Sequence, residues 1–313
     1  RKAGDLYGII LLPETATGAD IEAARKLLID RGAADGVGSS LSIYWYGRAD
    51  IVEFKHINTS GVTSLNSTWY NATGLTKFPL IDTTSVTEMQ YAWGSTAIDS
   101  FPAIQAPLCT NFTGAWQNCA ALTSFPAGAK LGTAAENVIF TNAFRNSGLT
   151  SFPALDLSKG VSFHAAWYSS NITQFPSGVS LNNATDVSYA WSLTPITSFP
   201  LVQVGNVRYF LRAWRSCTNL LDFPANFFDA WSPTGVSSGV FDAAWLDCTS
   251  LTAQSVENIL VSINASGKHA TSTGASGGAA LADAGIDIDY NVATGALSAA
   301  TNTAINSLIG KGW

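Results

Sequence analysis

Large apolar side chains recur along this chain at a nearly fixed interval, with Ser, Thr, Asn and Gly filling the space between them. The plainest marker is the dipeptide Phe-Pro, found at Phe78-Pro79, Phe101-Pro102, Phe125-Pro126, Phe152-Pro153, Phe175-Pro176, Phe199-Pro200 and Phe223-Pro224. Successive pairs are 23, 24, 27, 23, 24 and 24 residues apart. Eight or nine residues before each pair stands a large aromatic: Trp69, Trp93, Trp116, Phe144, Trp167, Trp191 and Trp214. An eighth unit is built on Trp245 and lacks the Phe-Pro. The residue before the aromatic is Ala in every unit but the first, which has Thr68. Four residues before the aromatic is a further apolar position (Leu65, Met89, Phe112, Phe140, Phe163, Val187, Phe210, Phe241), and Leu or Ile follows five or six residues after it.

A unit this short cannot bury its own aromatics, whereas stacked units can, with like positions forming ladders. The pattern therefore predicts a β-rich solenoid of 23–24-residue units over residues 58–252. Pro fixes φ and holds the residue before it extended, so Phe-Pro belongs at a strand end or corner. The Leu/Ile-Thr-x-Phe segment before it suits a short strand.

Both flanks break the rhythm. Residues 1–57 read as an amino-terminal α/β cap: a strand at 6–12, a helix after Thr17 and Asp20 closed near Gly32, and strands at 42–46 and 51–54. Residues 253–313 read as a helix-strand-helix cap, with helices at 255–263 and 297–309, an alternating strand at 286–290 and a Ser/Thr/Gly loop at 270–278. Terminal caps cover the open ends of a repeat stack. Two insertions interrupt the units, near 128–136 and 229–239.

The solenoid period shifts the question from catalysis toward surface display. Of 313 residues, 47% are apolar and only 12% charged, about half the usual charged share. Such a surface suits an extracellular or virion setting. The net charge of -6 argues against a nucleic-acid partner. No apolar run is long enough to span a bilayer, so no membrane insertion is expected. The chain begins at Arg1 with neither an initiator Met nor a signal-peptide pattern, so a processed product or a piece of a longer protein is expected.

The unit TTSVTEMQYAWGSTAIDSFP (83–102) and the half-unit FTGAWQNCAALTSFP (112–126) resemble the BspA-type leucine-rich repeats of bacterial surface proteins. The Ala-Trp and Ser-Phe-Pro variant is similar to repeats in tail-fibre or virion-surface proteins of marine and cyanobacterial phages, as are the flanks YWYGRADIVEFKHINTS (44–60) and LTAQSVENILVSI (251–263). The resemblance implies a leucine-rich-repeat-like solenoid for adhesion or receptor binding, with no catalytic residues to carry over. It implies a non-enzymatic protein of the virion surface or another extracellular surface. Its partners would be a host cell-surface glycan or protein, other virion subunits and further copies of itself in a homo-oligomer. The alternatives are a structural subunit, decorating a capsid or building a filament, and a bacterial cell-surface adhesin.

No motif for a cofactor, a metal or a nucleophile stands out. His56, His164 and His269 lie in different segments without ligand spacing. Cys119, Cys217 and Cys248 share one small-residue position, three after the aromatic, and are expected as packed thiols; Cys217 and Cys248, in neighbouring units, form the one pair placed to bridge, and Cys109 is off register. Asp82, Asp156 and Asp186 fall in turns. The candidate partner-binding residues are those outside the ladders. Arg208, Arg212 and Arg215 crowd one unit, where guanidinium groups suit a solvated edge with local ion pairs or an inter-subunit contact, and also an anionic glycan or partner. Tyr70, Tyr168 and Trp231 miss the core register, as exposed anchors would or as residues packed on a loop or neighbouring chain would.

Overall fold

The structure, a computed structural model, describes residues 17, 40–54, 57, 59–234, 239–269 and 285–313. The strand expected at 6–12, the helix after Asp20, the loop at 270–278 and His56 lie outside them.

Each unit lies parallel to the next. Single parallel bridges join Ser40 to Ser64, Ser64 to Glu88 and Glu88 to Asn111, and a second line joins Ser151, Gln174, Ser198 and Asp222. Regular strands are few: β1 (Gln105–Ala106) pairs with β2 (Lys130–Leu131), and β3 (Val138–Ile139) with β4 (Gly160–Ser162), all parallel. The extended Phe-Pro segments meet their neighbours at single residues because each unit turns again at once.

Turns hold the rest together. Take the ladder aromatic as position 0. The N–H groups at -4, -2, 0 and +2 donate to carbonyls of the next unit. In the unit of Trp69 these are Leu65 to Glu88, Ser67 to Gln90, Trp69 to Ala92 and Asn71 to Gly94, at 2.7–2.9 Å. The N–H groups between them bond within the unit, three residues back: Thr68 to Leu65, Tyr70 to Ser67 and Ala72 to Trp69. This alternation satisfies the buried backbone donors. It requires two left-handed residues per unit. Position -2 runs Ile43, Ser67, Tyr91, Gly114, Asn142, Ala165, Tyr189, Arg212 and Ala243; position +2 runs Gly47, Asn71, Ser95, Asn118, Asn146, Ser169, Leu193, Ser216 and Asp247; all have positive φ.

Two aromatic columns form the core. Trp45, Trp69, Trp93, Trp116, Phe144, Trp167, Trp191, Trp214 and Trp245 stack at 5.1–6.2 Å between centroids. From Phe78 to Phe223 the Phe-Pro rings stack at 5.7–6.3 Å. The columns meet edge to face, as Trp69 and Phe78 do at 4.7 Å and 74°, an arrangement worth about 0.5–1.5 kcal/mol per pair beyond burial. The eight tryptophan N–H groups of the column are buried without an acceptor.

Trp45 corrects one expectation. Residues 42–47 are a turn, not a strand, and Trp45 is a rung stacked on Trp69 at 5.5 Å and 5°. Phe54 packs on Trp45 edge to face at 5.2 Å, taking the Phe-Pro ring's place.

After Trp245 the chain forms α1 (Ala253–Ala265), capped by Thr252, and α2 (Ala299–Gly310), capped by Ser298. These two helices pack together, and the segment between them closes the ladder. Asp287 accepts the Trp245 N–H on its backbone carbonyl at 3.1 Å and the Ala243 N–H on its carboxylate at 2.9 Å. Asp289 accepts the Asp247 N–H on its carboxylate at 2.7 Å. Side-chain carboxylates thus replace two carbonyls that a further unit would supply. Among the described residues, no helix is long and apolar enough to cross a membrane.

Candidate functional site: a tyrosine–arginine row

Positions -2 and +1 flank each ladder aromatic and lie half-buried or exposed in most units, so their side chains form a line beside the core. Neighbouring members come from adjacent units, either at like positions or from +1 of one unit to -2 of the next. Tyr46 and Tyr70 are 5.5 Å apart, and Tyr70 meets Tyr91 edge to face at 5.8 Å. Glycine occupies the next places: a Cβ at Gly94 would lie 2.9 Å from the Tyr70 ring, and one at Gly114 would lie 2.4 Å from the Tyr91 ring. The two glycines leave these rings their room.

Further along, the row becomes cationic. The Arg145 guanidinium lies 4.8 Å from the Tyr168 centroid. Tyr168 is 6.4 Å from Tyr189, and Arg212 lies 5.5 Å from the Tyr189 centroid while its Nη1 donates to the Tyr189 hydroxyl at 2.8 Å. Beside Tyr189, at 5.5 Å, is His164, whose Nδ1 is 3.6 Å from Asp186. Burial works to raise the Asp186 carboxyl, but the nearby His164 imidazole and the Ser188 N–H, which donates at 2.8 Å, hold it below its ordinary range. Arg215 ends the row, 3.9 Å from Asp247.

The backbone marks three of these side chains. Tyr91, Tyr189 and Arg212 have φ of 53°, 58° and 54°. Left-handed backbone costs an L-residue about 1–2 kcal/mol, least for Gly, Asn and Asp, and the same position carries Gly114 and Asn142 elsewhere. Bulky residues kept in such a conformation point to a use for the side chain.

Of the six residues singled out in the sequence, the row brings together Tyr70, Tyr168, Arg212 and Arg215. Arg208 lies outside it and donates to the Thr234 hydroxyl at 2.8 Å. Of the two readings left open for Trp231 the packed one holds, and it is no surface anchor: it is 1% exposed and its N–H donates to the Val207 carbonyl at 2.7 Å. Phe210, Phe228 and Phe241 surround it, so the 229–239 insertion feeds the core at this point. Sequence reasoning missed Tyr46, Tyr91, Arg145 and Tyr189. Their shared offset from the ladder aromatic was the available signal.

The remaining reactive groups have structural work. All four cysteines are free and buried. Burial pushes the Cys119 and Cys217 thiols up to about 11 and Cys109 up to about 12. Cys217 and Cys248 donate to the carbonyls of Trp191 and Trp214 at 3.1 and 3.0 Å. Asp82 and Asp156 accept from Thr84 and Ser158 two residues on, which holds both carboxyls low. Among the described residues no three His, Cys, Asp or Glu side chains converge as a metal site would. Two concavities lie off the row. One, of about 320 Å³, is apolar and sits between α1, α2 and the Asp287 segment; the other, of about 440 Å³, runs over Gln174, Pro176 and Pro200. Neither is lined by an acid, a base or a thiol.

No protein-family model, no curated protein and no solved structure matches the chain.

Proposed function

We propose that this chain is a leucine-rich-repeat-like solenoid serving as a non-enzymatic adhesion or receptor-binding protein of a virion surface, such as a tail fibre. The stacked aromatic columns and unit-to-unit hydrogen bonds support the solenoid. The repeat resemblance supports the virion setting. The tyrosine–arginine row supports binding, and the observation that carries it is the left-handed backbone of Tyr91, Tyr189 and Arg212. Rings and guanidiniums dominate binding energy at recognition surfaces.

The test uses the triple variant Tyr91→Asn, Tyr189→Asn, Arg212→Asn. Asn already serves this position at Asn142, so the fold survives. Labelled protein is scored for attachment to a panel of bacterial cells. Attachment of the wild type, lost in the variant at an unchanged unfolding midpoint, supports the reading. Equal attachment by both overturns it.

A further inference from the structure

We infer that the cationic half of the row binds an acidic glycan, a chain of sugars bearing carboxylate or sulfate groups. This rests on the adhesion reading above and names its ligand. Among the described residues the Lys and Arg ion pairs are Arg48–Asp50, Lys77–Asp99, Lys159–Glu136 and Arg215–Asp247, and His164 lies 3.6 Å from Asp186. Arg145 and Arg212 belong to none of them. In a chain of net charge -6, two half-buried guanidiniums stand without a carboxylate, each held over a tyrosine ring. Stacking and the bond to the Tyr189 hydroxyl orient the Arg212 fork before any ligand arrives, and an oriented guanidinium suits carboxylate or sulfate.

Two further observations favour a sugar chain over an acidic protein. The row is periodic: the four groups Arg145, Tyr168, Tyr189 and Arg212 come from four consecutive units, with neighbouring groups 4.8–6.4 Å apart. A linear polymer of repeating sugars meets such a line in register, and an irregular protein surface does not. Beside this half of the row, position +2 supplies amide and hydroxyl groups from Asn146, Ser169 and Ser216, interrupted by Leu193. Asn146 donates to Asn118 of the preceding unit at 2.9 Å. Amides and hydroxyls both donate and accept, as sugar hydroxyls require. The rings of Tyr168 and Tyr189 offer apolar faces to the sugars between the two cations.

The experiment measures retardation of the protein in gels containing polygalacturonate, dextran sulfate or unmodified dextran, at low and high salt. We expect both acidic polymers to retard it at low salt, high salt to weaken the effect, and dextran to leave it unaffected. The double variant Arg145→Gln, Arg212→Asn should weaken the acidic polymers by about tenfold or more, the equivalent of one charged hydrogen bond. Lys77→Gln, on the bridge line before the Phe-Pro pairs and not a member of the row, should not. Equal retardation by dextran, no retardation by either acidic polymer, or full affinity in the double variant overturns the inference. If the double variant also attaches to cells as wild type while Tyr46→Ser, Tyr70→Ser, Tyr91→Asn abolishes attachment, the glycan assignment falls and the adhesion reading stands.

Discussion

Replacing Trp116 by Phe should cost far less than replacing it by Ala, although the indole is fully buried. Trp116 stacks between Trp93 at 5.6 Å and Phe144 at 5.1 Å, and meets Phe125 edge to face at 4.9 Å. Its N–H has no acceptor. Truncation to Ala opens a cavity between two rungs and should cost about 3–5 kcal/mol. Phe keeps the stack and loses roughly two carbons' worth of burial, about 1.6 kcal/mol at ~0.8 kcal/mol per carbon. It also removes a buried donor whose desolvation costs about 1–3 kcal/mol. The two terms oppose, so the net change should lie between about 0.6 kcal/mol of destabilisation and about 1.4 kcal/mol of stabilisation. Phe144 shows that the column accepts a benzyl ring: it stacks on Trp116 at an interplanar angle of 4°. Guanidinium unfolding of the three proteins, followed by circular dichroism, measures the difference. A Phe variant destabilised as much as the Ala variant would refute the reasoning, because the indole N–H would then be contributing a bond.

Other expectations follow from single positions. Leu193, at φ 61° and 47% exposed, should stabilise the protein by up to about 1 kcal/mol when changed to Asn, the residue of position +2 at Asn118 and Asn146; a lower unfolding midpoint contradicts this. The thiols make stability fall with rising pH. Their folded values lie above the ordinary 9.0, at about 11 for Cys119 and Cys217 and about 12 for Cys109. Below pH 9 both states hold the proton and the stability is fully present; above it the unfolded thiols ionise first, and stability drains until the folded values are reached. Urea midpoints should drop between pH 9 and 11, less so in Cys217→Thr, which copies Thr194 of the preceding unit. Equal drops remove the thiols as the cause. Asp287→Ala strands the Ala243 N–H and should cost about 1–3 kcal/mol, with Asp287→Asn restoring most of it. Equal losses in the two variants would show that acceptance of that N–H is not what Asp287 contributes.

The interior was legible because repetition amplifies a weak signal. One Trp among polar residues says little; a Trp, a preceding Ala and a Phe-Pro at fixed offsets name two ladders. Trp45 escaped because its unit lacks both Ala and Pro, with Tyr44 before the aromatic and Lys55 after Phe54. Its nine-residue spacing to Phe54, the same as Trp69 to Phe78, was the surviving cue. The row was half legible. Tyr70, Tyr168, Arg212 and Arg215 stood out by residue type, but what joins them is the offset of -2 or +1 and the left-handed turn, which no single unit reveals. Trp231 stood out as an aromatic in an insertion, whereas Phe228 just before the insertion, with Phe210 and Phe241 of the ladder, builds a pocket for the indole. The carboxylate closure by Asp287 and Asp289 was invisible, since the alternating segment there reads only as a strand.

That closure gives the molecule a modular length. Asp287 and Asp289 recognise three N–H groups that every unit presents in the same places, so they would end a stack of seven rungs or of eleven as they end this one. A duplication or loss of one whole unit in the gene leaves the terminus chemically unchanged and lengthens or shortens both aromatic columns by a single rung, so the length of the stack can change without a new closing segment.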